Sequence, residues 1–414
     1  MTDMAGAVPV IAVDKVQAVA LAVCTYYFGV WLKGKVGVLS RYSIPSPVVG
    51  GMSFAIVVSF LEYFNIVKVQ IDSTLQTVLM LGFFTTIGLM ASLRVVKDGG
   101  RLLLGFLLAV TVLVFLQNGM GMAIAEAMGF DKHYGILAGS VSMMGGLGTA
   151  AAFGPYFEET YGITGGTAVA VTAATFGMVA ALLIGGPFGE WCIRRYKVKT
   201  PDEVQQPEPE LHLPDDMDTD ITEQHASAKP SFTNEIMRAV SVTALAMGLG
   251  TIVSNYLGHY ITLPAYIGAM IVATVIRNVG DFSGMYKVEG KGLNAVADIT
   301  LVLFVTMAIN NLKLHELVHL ALPLVVILAC QTILMLIYAW TVLFTAFGRS
   351  YDAVMLSVGG IGFSMGATAN GLANMQAISE KYGSSPRAWL IVSVVGAFLI
   401  DLINAVVITW FGTL

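Results

Sequence analysis

The chain has 414 residues, 56% of them hydrophobic and only 12% charged, with a mean hydropathy of +0.76. Soluble domains carry about 25% charged residues, so this balance excludes an ordinary soluble domain and indicates a polytopic membrane protein. The net charge of -5 comes largely from Asp202 to Glu223, which holds nine of the 27 acids, and no basic patch points to a nucleic-acid partner.

The N-terminal stretch carries Asp3 and no basic residue before its first short apolar run, so it does not read as a cleaved signal peptide. Runs of the length needed to cross a bilayer follow at Lys15 to Leu32, Ile44 to Phe64, Leu75 to Leu93, Leu102 to Met122 and Gly165 to Trp191. Between the fourth and fifth lies GGLGTAA, Gly145 to Ala151. From Arg194 to Thr233 the chain turns rich in proline and acids with almost nothing to bury, which reads as a disordered linker. Apolar runs resume at Ile236 to Leu257, Leu263 to Val275, Leu293 to Ile309, Leu317 to Leu343 and Ala388 to Phe411, with GGIGFSMGAT, Gly359 to Thr368, before the last. Cys24, Cys192 and Cys330 have neither metal-site spacing nor the pattern of a disulfide framework.

The pattern predicts an all-α fold of two halves, residues 1–193 and 235–414, joined by an acidic linker at 194–234. Each half has five spans and one re-entrant hairpin, near 135–160 and 353–380. A faint repeat pairs Pro47 with Pro264, Gly51 with Gly268, Phe84 with Phe304, Thr86 with Thr306, Gln117 with Gln331, and Gly145 and Gly146 with Gly359 and Gly360, at offsets of 214 to 220. Basic residues follow the first, third and fifth spans (Lys33, Lys35, Arg41; Arg94, Lys97, Arg101; Arg194, Arg195, Lys197, Lys199). They mark those loops and the linker as cytoplasmic. Arg277, Lys287, Lys291, Arg349, Lys381 and Arg387 fall on the same side, whereas the loop Gly258 to Thr262 has no formal charge. Five spans per half then invert the second half against the first and leave both termini extracytoplasmic.

Glycine costs about 1 kcal/mol against alanine in a helix, and unpaired backbone in hydrocarbon costs several more. Gly-rich backbone at membrane depth is therefore expected where protein buries it or where it lines a cavity, as at the substrate site of a secondary transporter. Gly145, Gly146, Gly148, Gly359, Gly360 and Gly362 allow close approach, and Thr149, Ser364 and Thr368 offer hydroxyls. The alternative is small-residue packing between helices. Asp401 reads as the only acid well inside a span; with Asn404 at i+3 it offers oxygen ligands for a cation, unless it merely anchors a neighbouring helix. Asn370 and Asn374 are weaker polar candidates, and Gln117 and Gln331 suit interhelical hydrogen bonds.

Two readings from other classes compete. A gated channel would use the same hairpins as a filter but could not concentrate solute. His315 to His319 reads HELVH, the zinc-protease pattern, with Asp401 as a nominal third ligand. Topology opposes that reading, because HELVH follows Lys313 at the outer end of a span and Asp401 lies near mid-membrane.

GGLGTAA at Gly145, ATFG at Ala174 to Gly177, GGP at Gly185 to Pro187, GGIGFSMGAT at Gly359, LANM at Leu372 to Met375 and VGAFLIDLINA at Val395 to Ala405 together resemble the bacterial sodium/glutamate symporters. The resemblance implies sodium-coupled uptake of L-glutamate across the cytoplasmic membrane, with no cofactor beyond the co-transported ion; the alternative is sodium- or proton-coupled transport of another small di- or tricarboxylate. It further implies inverted five-span halves with a cytoplasmic linker, a lipid-embedded homodimer and an elevator-like movement, and it makes HELVH an ordinary loop. The long acidic linker departs from the compact family pattern.

Overall fold

Apolar runs with no water to satisfy their backbone must close their hydrogen bonds internally, and here they do so as helices. The computed structural model describes residues 9–37, 39, 44–94, 100–201, 232–257, 265–284, 286, 290–313 and 320–414. Asp3, Arg41, Lys97, the body of the linker, the loop Gly258 to Thr262, Pro264, Lys287 and HELVH lie outside the described residues.

The first half contains α1 (Lys15–Lys35), α2 (Ser46–Tyr63), α3 (Thr74–Met90), α4 (Gly100–Ala127), α5 (Lys132–Ile136, continuing in π turns over Leu137–Val141), α6 (Gly146–Tyr161) and α7 (Gly166–Tyr196). The second contains α8 (Phe232–Leu257), α9 (Ala265–Ser283), α10 (Lys291–Asn310), α11 (Ala321–Ala346), α12 (Tyr351–Ser364), α13 (Thr368–Tyr382) and α14 (Pro386–Gly412). Eight of these are long and apolar enough to cross a membrane; α3 is a shorter apolar helix, and α9 carries charge. One departure from an all-helical chain is a short parallel ladder, Val10–Val13 (β1) beside Lys68–Ile71 (β2).

Helix α9 runs two turns past Val275, where the apolar run stops, because its charges are satisfied internally. Arg277 Nε donates to Asp281 Oδ2 at 3.0 Å, and Ser92 Oγ donates to the same carboxylate at 2.5 Å. Asn278 completes the clasp by accepting from Leu93 N–H and donating to the Ala91 carbonyl. Arg277 is thus buried in a helix contact rather than free at a surface.

Both Gly-rich regions fold as hairpins that return to the end from which they start. His133, in the first turn of α5, stacks on Tyr161 at the end of α6 with ring centroids 4.2 Å apart, and Tyr134 donates to the Thr164 carbonyl. Tyr351, opening α12, donates to the Gly383 carbonyl just past α13. The two bases sit at opposite ends of α14. His133 Nε2 lies 3.3 Å from the Gly412 carbonyl, whereas Asp352 accepts from Ser385, immediately before Pro386. At about 1.5 Å per residue, α14 separates the bases by roughly a membrane thickness.

The helices pack mainly within two groups. The first is α1, α2 and α3 with α8, α9 and α10; the second is α4 to α7 with α11 to α14. Contacts between the groups run chiefly from α10 and α3 to α6 and α14. Corresponding helix starts, Lys132 and Tyr351, Gly146 and Thr368, Gly166 and Pro386, are 219, 222 and 220 residues apart. The glycine pairs aligned by sequence, at an offset of 214, are therefore out of step with the folded repeat.

At one end of the second group, Lys381 Nζ lies 2.6 Å from Glu190, which also pairs with Arg194, and Arg195 and Arg349 both lie over the Tyr196 ring. Lys381, Arg194, Arg195 and Arg349 thus lie at one end of that group.

Candidate functional site at the meeting of two hairpin tips

The tips meet through backbone. Gly146 has φ +63°, and a Cβ built there would lie 2.6 Å from the Gly366 carbonyl oxygen. Only a residue without a side chain fits that approach in that left-handed conformation. Beside this contact is a cavity of about 530 Å³ lying between the two helix groups.

From the hairpin group its wall includes Gly145, Gly146, Gly148, Thr149, Gly366, Ala367, Thr368, Gly396 and Asp401. From the other group come Pro45, Pro47, Phe83, Thr86, Asp298 and Leu301. Among the described lining residues there is no lysine, arginine or histidine.

Positive potential comes instead from backbone. Helices α6 and α13 both begin at the cavity, at Gly146 and Thr368, and neither has a side-chain cap on its first turn. The opening N–H groups of a helix have no intrahelical acceptor, and the aligned peptide dipoles place about half a positive charge there. Two such ends can accept two anionic groups. Two acids, Asp401 on α14 and Asp298 on α10, also line the cavity.

The wall also contains irregular backbone. Helix α14 makes π turns over Val395–Leu399, so Gly396 and Ala397 face the cavity, and Thr368 Oγ1 donates to the Gly396 carbonyl at 2.5 Å. Such π turns often occur at functional sites.

Of the residues singled out by sequence, Gly145, Gly146, Gly148, Thr149, Thr368 and Asp401 come together here. The others lie behind the wall. Gly359 faces Met375 and Val392, Gly360 faces Leu343, and Gly362 faces the backbone of Gly371; each would bring a Cβ within 3 Å of those neighbours. These three admit close helix packing, the role small residues play between membrane helices. Asn370 and Asn374 donate to the carbonyls of Met178 and Ala181 and join α13 to α7. Asn404 donates to the Ser140 carbonyl, and Ser364 is fully buried at the end of α12.

A second acid, Asp298, which the sequence reading does not single out, also lines the cavity; it lies near the start of the apolar run Leu293 to Ile309. Phe83, Thr86, Gly366 and Gly396 had weaker signals, because nothing local in sequence marks which face of a buried helix meets a cavity.

The sequence profile described as sodium/glutamate symporter matches residues 11–384. The chain belongs to the sodium/glutamate symporter family. It is 37% identical over 400 residues to the sodium/glutamate symporter of Escherichia coli (strain K12), with 95% of this chain and 96% of the relative covered. The Shigella flexneri symporter gives the same identity and coverage. The symporter of Haemophilus influenzae (strain ATCC 51907 / DSM 11121 / KW20 / Rd) is 35% identical over 395 residues, covering 94% of this chain and 95% of the relative. Membership of this family gives the cavity a transport context; among the described residues no cluster of three or more His, Cys, Asp or Glu is placed to hold a metal.

Proposed function

We infer that the protein imports L-glutamate with sodium across the cytoplasmic membrane, and that the substrate occupies the cavity between the hairpin tips. The observation that carries this placement is the pair of uncapped helix starts, Gly146 and Thr368, opening on one cavity with two carboxylates in its wall. Glutamate has two carboxylates for the two helix ends and one ammonium for one aspartate, leaving the other aspartate for sodium.

Asp298 is assigned to the ammonium and Asp401 to sodium. Asp298→Asn is then expected to reduce glutamate uptake at least tenfold while sparing competition by glutarate, which has both carboxylates and no amine. Equal losses for both compounds would remove Asp298 from amine recognition.

The cavity lies between two packed groups, which suits an elevator-like movement of the hairpin group along α3 and α10. A Cβ at Gly148 would lie 3.0 Å from Phe83 Cε1 on α3 and 3.4 Å from Leu301 Cδ1 on α10, so Gly148→Cys with Leu301→Cys, in a background lacking the three native cysteines, places one thiol on each side of the seam. Oxidation is expected to stop uptake and reduction to restore it. Full uptake by the crosslinked protein would exclude relative sliding of the groups.

The same proposal takes the halves as inverted, the linker as cytoplasmic, both termini as extracytoplasmic and the working assembly as a homodimer in lipid. Energetically, each net positive charge moved inward at 100 mV contributes about 2.3 kcal/mol, so excess sodium can drive accumulation. The deciding assay is uptake of labelled L-glutamate into proteoliposomes under an inward sodium gradient, with potassium-only and ionophore-treated controls. Accumulation above the outside concentration is expected; sodium-independent equilibration would instead identify a channel.

A further inference from the structure

We propose a second cation site, distinct from Asp401, formed by Gln117 Oε1, Gln331 Oε1 and Ser364 Oγ at the end of α12. It rests on the sodium-coupled reading above and names where an additional ion is held.

Gln117 on α4 donates through Nε2 to the Ser364 carbonyl at 2.9 Å, and Gln331 on α11 donates through Nε2 to the Gln117 carbonyl at 2.7 Å. These two bonds join three helices into one buried polar cluster, with each side chain no more than 1% exposed. Each amide nitrogen makes one hydrogen bond, whereas Gln117 Oε1, Gln331 Oε1 and Ser364 Oγ have no hydrogen-bond partner among the described residues. Buried polar atoms are rarely left in that condition, and each instance requires an explanation.

The chemistry favours a hard monovalent cation. All three atoms are oxygens, the donors preferred by hard cations, and sodium requires no carboxylate among its ligands. The cluster also includes the C-terminal residue of α12, where unpaired carbonyls and the negative helix end favour positive charge. Broken half-helices in transporters use such ends to coordinate their coupling ions. The second hairpin therefore presents opposite polarities on its two sides: the start of α13 faces the cavity, and the end of α12 faces this cluster.

A neighbouring group has a different composition. Ser140 Oγ and Asn404 Oδ1 also lack partners, but so does the amide nitrogen of Asn118, which is a donor. That mixture matches water, which donates and accepts, better than a cation. The oxygen-only set beside α12 is the one assigned to sodium.

The test measures sodium binding without glutamate. Thermal unfolding of purified protein in NaCl is compared with KCl at equal ionic strength, alongside the sodium titration of glutamate uptake. Ser364→Ala deletes one oxygen with little change in shape, and Gln331→Met removes another at similar length. Each is expected to raise the sodium concentration for half-maximal uptake about tenfold and reduce sodium-specific thermal stabilisation, leaving glutamate half-saturation at high sodium unchanged. If Gln331→Met does not fold, Ser364→Ala decides the question alone. Wild-type sodium titrations in the folded variants would identify a hydrated cluster and overturn the proposal. Absence of sodium-specific stabilisation and sodium-dependent uptake in the unaltered protein would instead overturn the coupling reading on which it rests.

Discussion

Replacing Gly146 with alanine is expected to reduce glutamate uptake by at least tenfold while leaving the protein inserted in the membrane. The residue is left-handed, with φ +63°, and an added Cβ would meet the Gly366 carbonyl at 2.6 Å. Left-handed backbone costs an ordinary L-residue about 1–2 kcal/mol, and displacement of the opposing tip adds to that. About 1.4 kcal/mol corresponds to a tenfold change in an equilibrium, so a modest shift away from the paired tips suffices for the loss. Gly119→Ala provides the control, because nothing lies within 4 Å of a Cβ there. The check is uptake normalised to membrane-inserted protein. Normal uptake by Gly146→Ala would show that contact between the tips is dispensable and would move the substrate site elsewhere.

Gly359→Val is expected to abolish uptake as well, but through a different defect. Valine at 359 would collide with Met375 and Val392 inside the second hairpin, so lower thermal stability should accompany the loss. At Gly146 the damage is expected mainly in transport. Unfolding curves of the two variants separate a residue at the tip from one that packs the half-helices behind it.

That contrast marks how far sequence reading reaches. Span length, charge depletion and the placement of Gly-rich runs were legible because hydrocarbon forces those features on any crossing helix. Glycine itself was ambiguous. GGLG at Gly145 opens a helix at the cavity, whereas GGIG at Gly359 lies within α12, one to two turns before its tip. Both satisfy the same local rule, and only the folded offset of 219 to 222 residues distinguishes them. Polar residues had the same limitation. Gln117 and Gln331 do join helices, as their amide chemistry suggested, but the direction of their carbonyl oxygens depends on α4, α11 and α12 meeting at one place. Asp298 gives a weak signal for a simpler reason: it lies close to the start of its apolar run, where an acid looks like an interfacial residue, yet the packing of α10 against the hairpin group brings it to the cavity.

Asp401→Asn is expected to raise the sodium concentration for half-maximal uptake about tenfold, with a smaller effect on glutamate half-saturation at high sodium. The carboxylate stands in the wall near the N-terminal ends of α6 and α13, which attract anions and do not themselves favour sodium. Asparagine keeps an oxygen of similar reach but removes the negative charge. A role confined to packing would largely survive that change; a role in balancing cation charge would not. The two acids of the cavity wall sharpen the comparison, because Asp298→Asn should impair recognition of the amine whereas Asp401→Asn should impair sodium dependence. The two titrations, sodium at fixed glutamate and glutamate at fixed sodium, should therefore shift in complementary patterns. An unchanged sodium titration in Asp401→Asn would assign Asp401 to structure and leave the buried oxygens beside α12 as the remaining candidate sodium ligands.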